Sequence, residues 1–249
     1  MVALRSPGEI VKIRDASKIV AEVLARLKQA ARPGVTTAVL DELAEKTTLK
    51  LGAKPAFKGY MGFPACLCAS VNSRVVHGIP RRNEVLMEGD IVGLDYGVEK
   101  SGYYGDAAIT VAIGGVSEAA KKLMRVTEEC LYRGIDQVKP GNRVSDIGHA
   151  VQRHAEGNGF SVVREFVGHG IGTKPHEEPQ IPNFGEPGRG VRIKAGMVFA
   201  IEPMINEGGA AVEVLSDGWT VVTLDRRLSA HYEHTVAVGE NGAEILTVI

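Results

Sequence analysis

The chain repeats itself at a fixed spacing. Pro33-Gly34 recurs as Pro140-Gly141, Gly52 as Gly159 and Gly89 as Gly196, each 107 residues later. Glu22, Leu24 and Arg26 recur at the same offset as Glu129, Leu131 and Arg133. A register kept through helix, turn and strand implies a duplicated unit, which restricts architecture more than any local pattern does. Two copies of one unit are expected to pack about a pseudo-twofold axis. The same offset carries Asp95 onto Glu202, placing two carboxylates at equivalent positions across that axis.

Each half reads as helices followed by strands. Ser6-Pro7-Gly8-Glu9 is a capping box with proline at the first helical position. Ile10, Ile13, Ser17, Val20, Leu24 and Leu27 follow at helical spacing. Pro33-Gly34 ends that helix, and a second is expected over 37–52. Residues 55–64 read as a Pro/Gly/aromatic loop, 66–77 as a strand, and 91–98 with 103–113 as a hairpin around Lys100-Ser101-Gly102. From Ser117 the plan restarts with helices up to Pro140-Gly141 and over 144–157. Strands are expected near 161–166, 197–202, 212–215, 220–224 and 231–238, with 175–190 as a long loop. The expectation is one catalytic domain over 1–249, its halves spanning 6–115 and 116–247.

Composition narrows the function. Hydrophobic residues make up 44%, charged residues 24% and aromatics 5%, an ordinary globular profile. A net charge of −1 argues against a polyanion held by electrostatics, so no specific nucleic acid is expected. Cys66, Cys68 and Cys130 are odd in number and lack CxxC spacing. Neither a disulfide framework nor a thiolate zinc site follows, which fits a reducing cytosol. No apolar run approaches the ~18 residues of a membrane span, and no secretory segment precedes Ser6. A cytoplasmic enzyme with no membrane partner is expected.

The chemistry centres on Phe166-Val167-Gly168-His169-Gly170-Ile171-Gly172, with His176 close behind. Three glycines let neighbouring backbone approach closely and hold His169 in one direction. Asp95 and Asp106 interrupt apolar strand sequence. With Lys100-Ser101 as a two-residue turn, the two aspartates face each other, Cβ atoms roughly 4.5–5.5 Å apart. Glu202 ends the apolar run Met197-Val-Phe-Ala-Ile, and Glu233 lies in His231-Tyr-Glu-His-Thr. Alternation puts His231, Glu233 and Thr235 on one strand face. Four acids and an imidazole carry more negative charge than an interior tolerates without a cation. The set is too large for one tetrahedral zinc and suits two divalent ions sharing carboxylates.

These segments resemble the methionine aminopeptidases of type I. The resemblance runs from Ser6 to Thr247 and is carried by KPAFKGY (54–60), VNSRVVHGIP (71–80), GDIVGLDYG (89–97), GYYGDAAIT (102–110), FVGHGIGTKPHEEPQIPN (166–183), GMVFAIEPM (196–204) and LSAHYEHT (228–235). It implies an α/β (α+β) pita-bread (creatinase/aminopeptidase) fold, two related halves around a dinuclear site. By position, Asp95, Asp106, His169, Glu202 and Glu233 are implied as metal ligands, with Asp106 and Glu233 bridging. Glu202 is implied as general base, His176 as partner of the scissile carbonyl oxygen, and His77 as neighbour of the second residue's nitrogen. Tyr60, Phe63, Cys68 and Trp219 resemble the wall that receives methionine. Pro175 stands where many bacterial relatives carry a larger apolar residue, so a less tightly walled pocket is expected.

The implied cofactors are two divalent ions drawn from cobalt, manganese, iron(II) and zinc. The implied activity is removal of N-terminal methionine from nascent polypeptides with a free amine and a small second residue. A monomer that meets the ribosome transiently is the expected form. The 31 residues from Glu202 to Glu233 leave no room for the helical insertion of type II enzymes. Without the zinc-binding extension of eukaryotic relatives, the chain resembles the minimal bacterial form. Two alternatives share the scaffold. Proline-specific peptidases keep the same ligands but carry an added N-terminal domain, and binding proteins of this type lose ligands.

Overall fold

The computed structural model describes residues 2–248. The first half runs α1 (Pro7–Ala30), α2 (Thr37–Lys50), β1 (Lys54–Pro55), a 3-10 turn at Tyr60–Gly62, β2 (Cys68–Val71), β3 (Ile91–Lys100) and β4 (Tyr103–Ala112). The second opens with α3 (Glu118–Ile135), α4 (Val144–Gly157), β5 (Ser161–Val162), β6 (Gly168–Gly170) and β7 (Glu177–Ile181). It continues through β8 (Val198–Ile201), β9 (Met204–Asn206), β10 (Val212–Val214), β11 (Val221–Thr223), β12 (Ser229–His231), β13 (Glu233–Gly239) and β14 (Gly242–Ile245).

Local chemistry sets the helix ends. The Ser6 hydroxyl accepts the Glu9 N–H while the Glu9 carboxylate accepts the Ser6 N–H, so two otherwise orphaned donors are satisfied. α4 begins and ends 107 residues after α2, and β5 lies 107 residues after β1. Gly34 and Gly141 (φ 89° and 101°), Gly52 and Gly159 (68° and 86°), and Gly89 and Gly196 (96° and 87°) all occupy left-handed backbone. Only glycine takes that conformation without strain, which is why the same residue stands at both positions of each pair.

A nine-stranded antiparallel sheet forms the spine, in the order β1-β3-β4-β13-β8-β6-β7, with β2 also on β3 and β14 also on β13. The halves meet where β4 pairs with β13, Ala108 opposite Glu233 and Ala107 opposite His234. α1 and α2 bury Val20, Leu24, Leu27 and Leu40 with Leu94 and Tyr96 of β3. Leu131 of α3 and Ile147 of α4 bury with Phe199, Ile201 and Val236. Each such side chain contributes about 1.5–3 kcal/mol by leaving water. Tyr96 lies in the helix-side core, its hydroxyl 2.7 Å from that of Thr48 in α2. Strand alternation therefore turns Asp95 to the opposite face.

The hairpin register differs from the expected one. Lys100 pairs with Tyr103, so the turn residues are Ser101 and Gly102, with φ of 54° and 78°. Two consecutive left-handed residues make the hairpin turn whose twist matches that of the strands. Asp106 consequently faces Gly97 and Asp95 faces Ala108. The two aspartates are diagonal neighbours on one face, which separates their charges.

Other boundaries also move. The strand expected over 66–77 stops at Val71, because Asn72 turns with φ 56° and donates to Asp90 at 2.8 Å. The expected 161–166 strand covers only Ser161–Val162, and the 231–238 strand is broken at Tyr232. Inside the expected loop 175–190 lies β7, at the sheet's edge. An edge strand tolerates Pro179, since a missing N–H there breaks no ladder.

Candidate active site and metal centre

The face of the sheet turned away from the helices holds a cavity of about 320 Å³. Eleven of the residues singled out in the sequence line it: Asp95, Asp106, His169, Glu202 and Glu233 at the floor, His77 and His176 beside them, and Tyr60, Phe63, Cys68 and Trp219 as wall. Asp95 comes from β3, Asp106 from β4, His169 from β6 and Glu233 from β13, while Glu202 directly follows β8. The cavity thus draws on both halves of the chain.

His169 owes its direction to close packing on both sides. A Cβ at Gly168 would collide with the Ala200 carbonyl, and one at Gly170 with that of Glu178. Neither glycine has a left-handed φ, so here the need is for bare backbone and not for an unusual turn. The His169 Nδ1 lies 2.9 Å from the Gly170 carbonyl. A proton at Nδ1 donates to that carbonyl and leaves the Nε2 lone pair facing the carboxylates. Burial, chiefly, pushes the His169 pKa down to about 3, so the ring is neutral.

Three of the acids each carry an orphaned oxygen, and Glu202 meets only imidazole nitrogens, 3.4 Å from His169 and 3.8 Å from His231. Asp106 and Glu233 are only 3% and 2% exposed. Among the described residues, Asp95 Oδ1, Asp106 Oδ1 and Glu233 Oε1 are buried without a hydrogen-bond partner. Burial pushes the carboxyl pKa values of Asp95, Asp106, Glu202 and Glu233 up, and mutual repulsion adds to this for all but Asp95. Ligand atoms of Asp106, His169 and Glu233 all lie within 4.8 Å of one another. Orphaned carboxylate oxygens around one imidazole lone pair are the donor set that divalent cations take. The residues present therefore fit a metal centre.

The flanking histidines are held differently. His77 sits at φ 58°, unusual for a residue with a side chain. Its ring stands edge-on to Phe166 and Trp219, with centroids 5.7 and 6.3 Å away. Burial, with His176 adding, lowers the His77 pKa to about 4. His176 stacks on Tyr60 at 5.2 Å, with Nδ1 3.1 Å from the tyrosine hydroxyl. Burial lowers its pKa as well. With the Tyr60 hydroxyl donating to Nδ1, we assign the His176 proton to Nε2.

Trp219 is fixed by Asp217, which accepts the Trp219 and Thr220 N–H groups at 3.0 and 2.9 Å and ion-pairs with Arg81. The indole then meets Phe63 edge-on at 5.1 Å. Pro175 is not among the residues lining the cavity; Phe57 and Met61 complete the wall instead. Those two were not singled out from sequence, although Phe57 lies within the KPAFKGY segment. His231 was placed on a strand face but given no role. Its Nε2 is buried and unpartnered, 3.8 Å from Glu202 Oε2.

Buried carboxylates, a neutral imidazole and an adjoining apolar cavity define the site of a metal-dependent hydrolase. Residues 11–240 match metallopeptidase family M24. A methionine aminopeptidase of Clostridium perfringens is 55% identical over 249 residues, covering 100% of both chains. Methionine aminopeptidase 1 of Bacillus subtilis is 50% identical over 247 residues, covering 99% of each. The crystal structure of methionine aminopeptidase from Thermotoga maritima superposes with a TM-score of 0.99 at 47% identity, covering 100% of both chains. Prolidase from Pyrococcus furiosus matches with a TM-score of 0.79 at 23% identity, over 99% of this chain and 65% of its own, a likeness of fold. The chain belongs to metallopeptidase family M24, among its methionine aminopeptidases. Its fold is the pita-bread arrangement, and its activity is that of a metal-dependent exopeptidase.

Proposed function

We propose that the protein removes N-terminal methionine from nascent proteins and peptides when the amine is free and the second residue is small. The observation that carries this reading is the convergence of unpartnered buried carboxylates with an aromatic and thiol wall in one cavity. Asp95, Asp106, His169, Glu202 and Glu233 would hold two divalent ions. When bound, such ions lower the pKa of a water toward neutrality and polarise a carbonyl.

Glu202 accepts the proton of the attacking water. His176, neutral and protonated at Nε2, donates to the oxygen of the scissile carbonyl and stabilises its developing charge. His77 orients the nitrogen of the second residue. Tyr60, Phe63, Cys68 and Trp219 receive the methionine side chain, since aromatic faces and a thiol suit a polarizable thioether. A missing methylene changes affinity by only ~1–3 kcal/mol, so selection must also act next to the scissile bond. In this reading His77 and the carboxylates crowd the position next to the scissile bond, where a recess lined by His77, Phe166, His176 and Glu202 adjoins the cavity. The partner is the polypeptide N-terminus, met by a monomer in the cytoplasm near the ribosome. The three buried free cysteines accord with a reducing compartment.

A peptide panel tests the reading. Met-Ala, Met-Gly and Met-Ser peptides should be cleaved with kcat/KM far above that of Met-Lys or Met-Phe, and N-acetylated Met-Ala should not react. Faster cleavage of Ala-Pro than of Met-Ala would replace the reading with a proline peptidase. No turnover by metal-loaded protein would replace it with a binding role.

A further inference from the structure

We infer that Arg5, in the segment ahead of α1, is a positioning residue for His176, acting through Glu177. Glu177 directly follows His176 and opens β7, whereas Gly172–Pro175 has no regular structure. One Glu177 oxygen, Oε1, accepts the Thr173 N–H at 2.8 Å, the Thr173 hydroxyl at 3.1 Å and the Lys174 N–H at 3.0 Å. The other oxygen pairs with the Arg5 guanidinium. A single carboxylate therefore closes the loop on itself and ties it to the N-terminal segment.

Arg5 is fixed independently of this pair. Its N–H donates to the Gly196 carbonyl at 2.7 Å, in the turn before β8, and its guanidinium lies 3.5 Å from Glu9. The guanidinium packs against Gly172, where any Cβ would collide with it. Its side chain is 9% exposed and that of Glu177 14%, so the pair is shielded from competing water. A recess of about 650 Å³ opens beside the pair, lined by Arg5, Thr173, Lys174, His176 and Glu177. With this open space beside it, the loop is held by the Glu177 carboxylate and Arg5. Displacing His176 by ~1 Å is enough to cost up to 10²-fold in rate.

The inference rests on His176 acting on the carbonyl oxygen, and the test separates the two. Arg5→Met should lower kcat on Met-Ala-Ser on the order of tenfold with KM little changed. In a His176→Ala background the same substitution should have almost no further effect, because the group it positions is gone. Glu177→Gln, which keeps the Oε1 acceptor and removes the charge, should show the same coupling and serves if Arg5→Met does not fold. Arg5→Lys should recover part of the rate. Equal losses in both backgrounds, or lost stability with unchanged kcat, would overturn the positioning role. If His176→Ala alone leaves kcat unchanged, the oxyanion reading falls, and coupling between Arg5 and His176 in KM then decides the clamp by itself.

Discussion

Thr235 and Asp106 exchange two hydrogen bonds across the seam between the halves. The Asp106 N–H donates to the Thr235 hydroxyl at 2.9 Å, and that hydroxyl donates to the Asp106 carbonyl at 2.7 Å. The β4–β13 pairing covers only Ala107, Ala108, Glu233 and His234, so the threonine side chain continues a ladder that the backbone has left. Thr235→Val leaves a buried donor and acceptor unpaired beside a metal-ligand candidate. It should destabilise the protein by about 1–3 kcal/mol, with Thr235→Ser much milder. Urea midpoints decide it, and a Thr235→Val variant as stable as the parent would show that the two bonds contribute nothing net.

Metal removal should lower the melting temperature, because it leaves buried carboxyls facing one another. The pH dependence has a definite sign. In metal-free protein the Asp95, Asp106, Glu202 and Glu233 pKa values are raised above their unfolded values. Their contribution to stability is full below the unfolded carboxylate range and is lost as pH rises through the raised values. Between pH 7 and 8 His77, His169, His176, His231 and His234, all with lowered pKa values, stay neutral in the folded protein, and unfolded cysteine thiols are mostly protonated. In that window each retained proton costs about 1.4 kcal/mol of stability per pH unit. Chelated protein should therefore melt lower at pH 8 than at pH 7. Manganese or cobalt should raise the melting temperature more at pH 8, because metal binding displaces protons.

His176→Ala removes a donor aimed at developing charge. Its kcat should fall roughly 10²–10³-fold while KM moves little. A loss confined to KM would make His176 a group that binds the ground state. The neutral form is the active donor in this reading. The lowered pKa of His176 thus keeps activity from depending on its protonation above the ordinary histidine range.

Gly170→Ala tests why His169 is flanked by glycine. The added methyl meets the Glu178 carbonyl of β7, a backbone atom that cannot swing away. The substitution should cost about 1–3 kcal/mol and weaken metal retention, because His169 moves with the strand. Melting temperature and bound metal after dialysis are the measurements. A variant that melts and retains metal like the parent would show that β7 yields freely.

Much of this protein was legible in its sequence for reasons that are local. The Ser6–Glu9 box starts a helix because its partners are three residues apart, and paired glycines end elements because only glycine takes left-handed backbone freely. Asp95, Asp106, Glu202 and Glu233 stood out because acids inside apolar strands are costly unless something cationic meets them. Distance between chain segments decided the rest. Whether Asp95 faces Asp106 or Ala108 depends on which two residues turn, and Ser101-Gly102 wins because its handedness matches the strand twist. Phe57 and Met61, ordinary loop residues in sequence, become cavity wall only when their loop folds over the sheet. His231 comes to within 3.8 Å of Glu202 only because β12 and β8 converge on the same floor. Arg5 and Glu177, 172 residues apart, become one clamp only once the N-terminal segment is pinned to the turn before β8. No pattern along the chain encodes such pairs, since burial of the whole core brings them together.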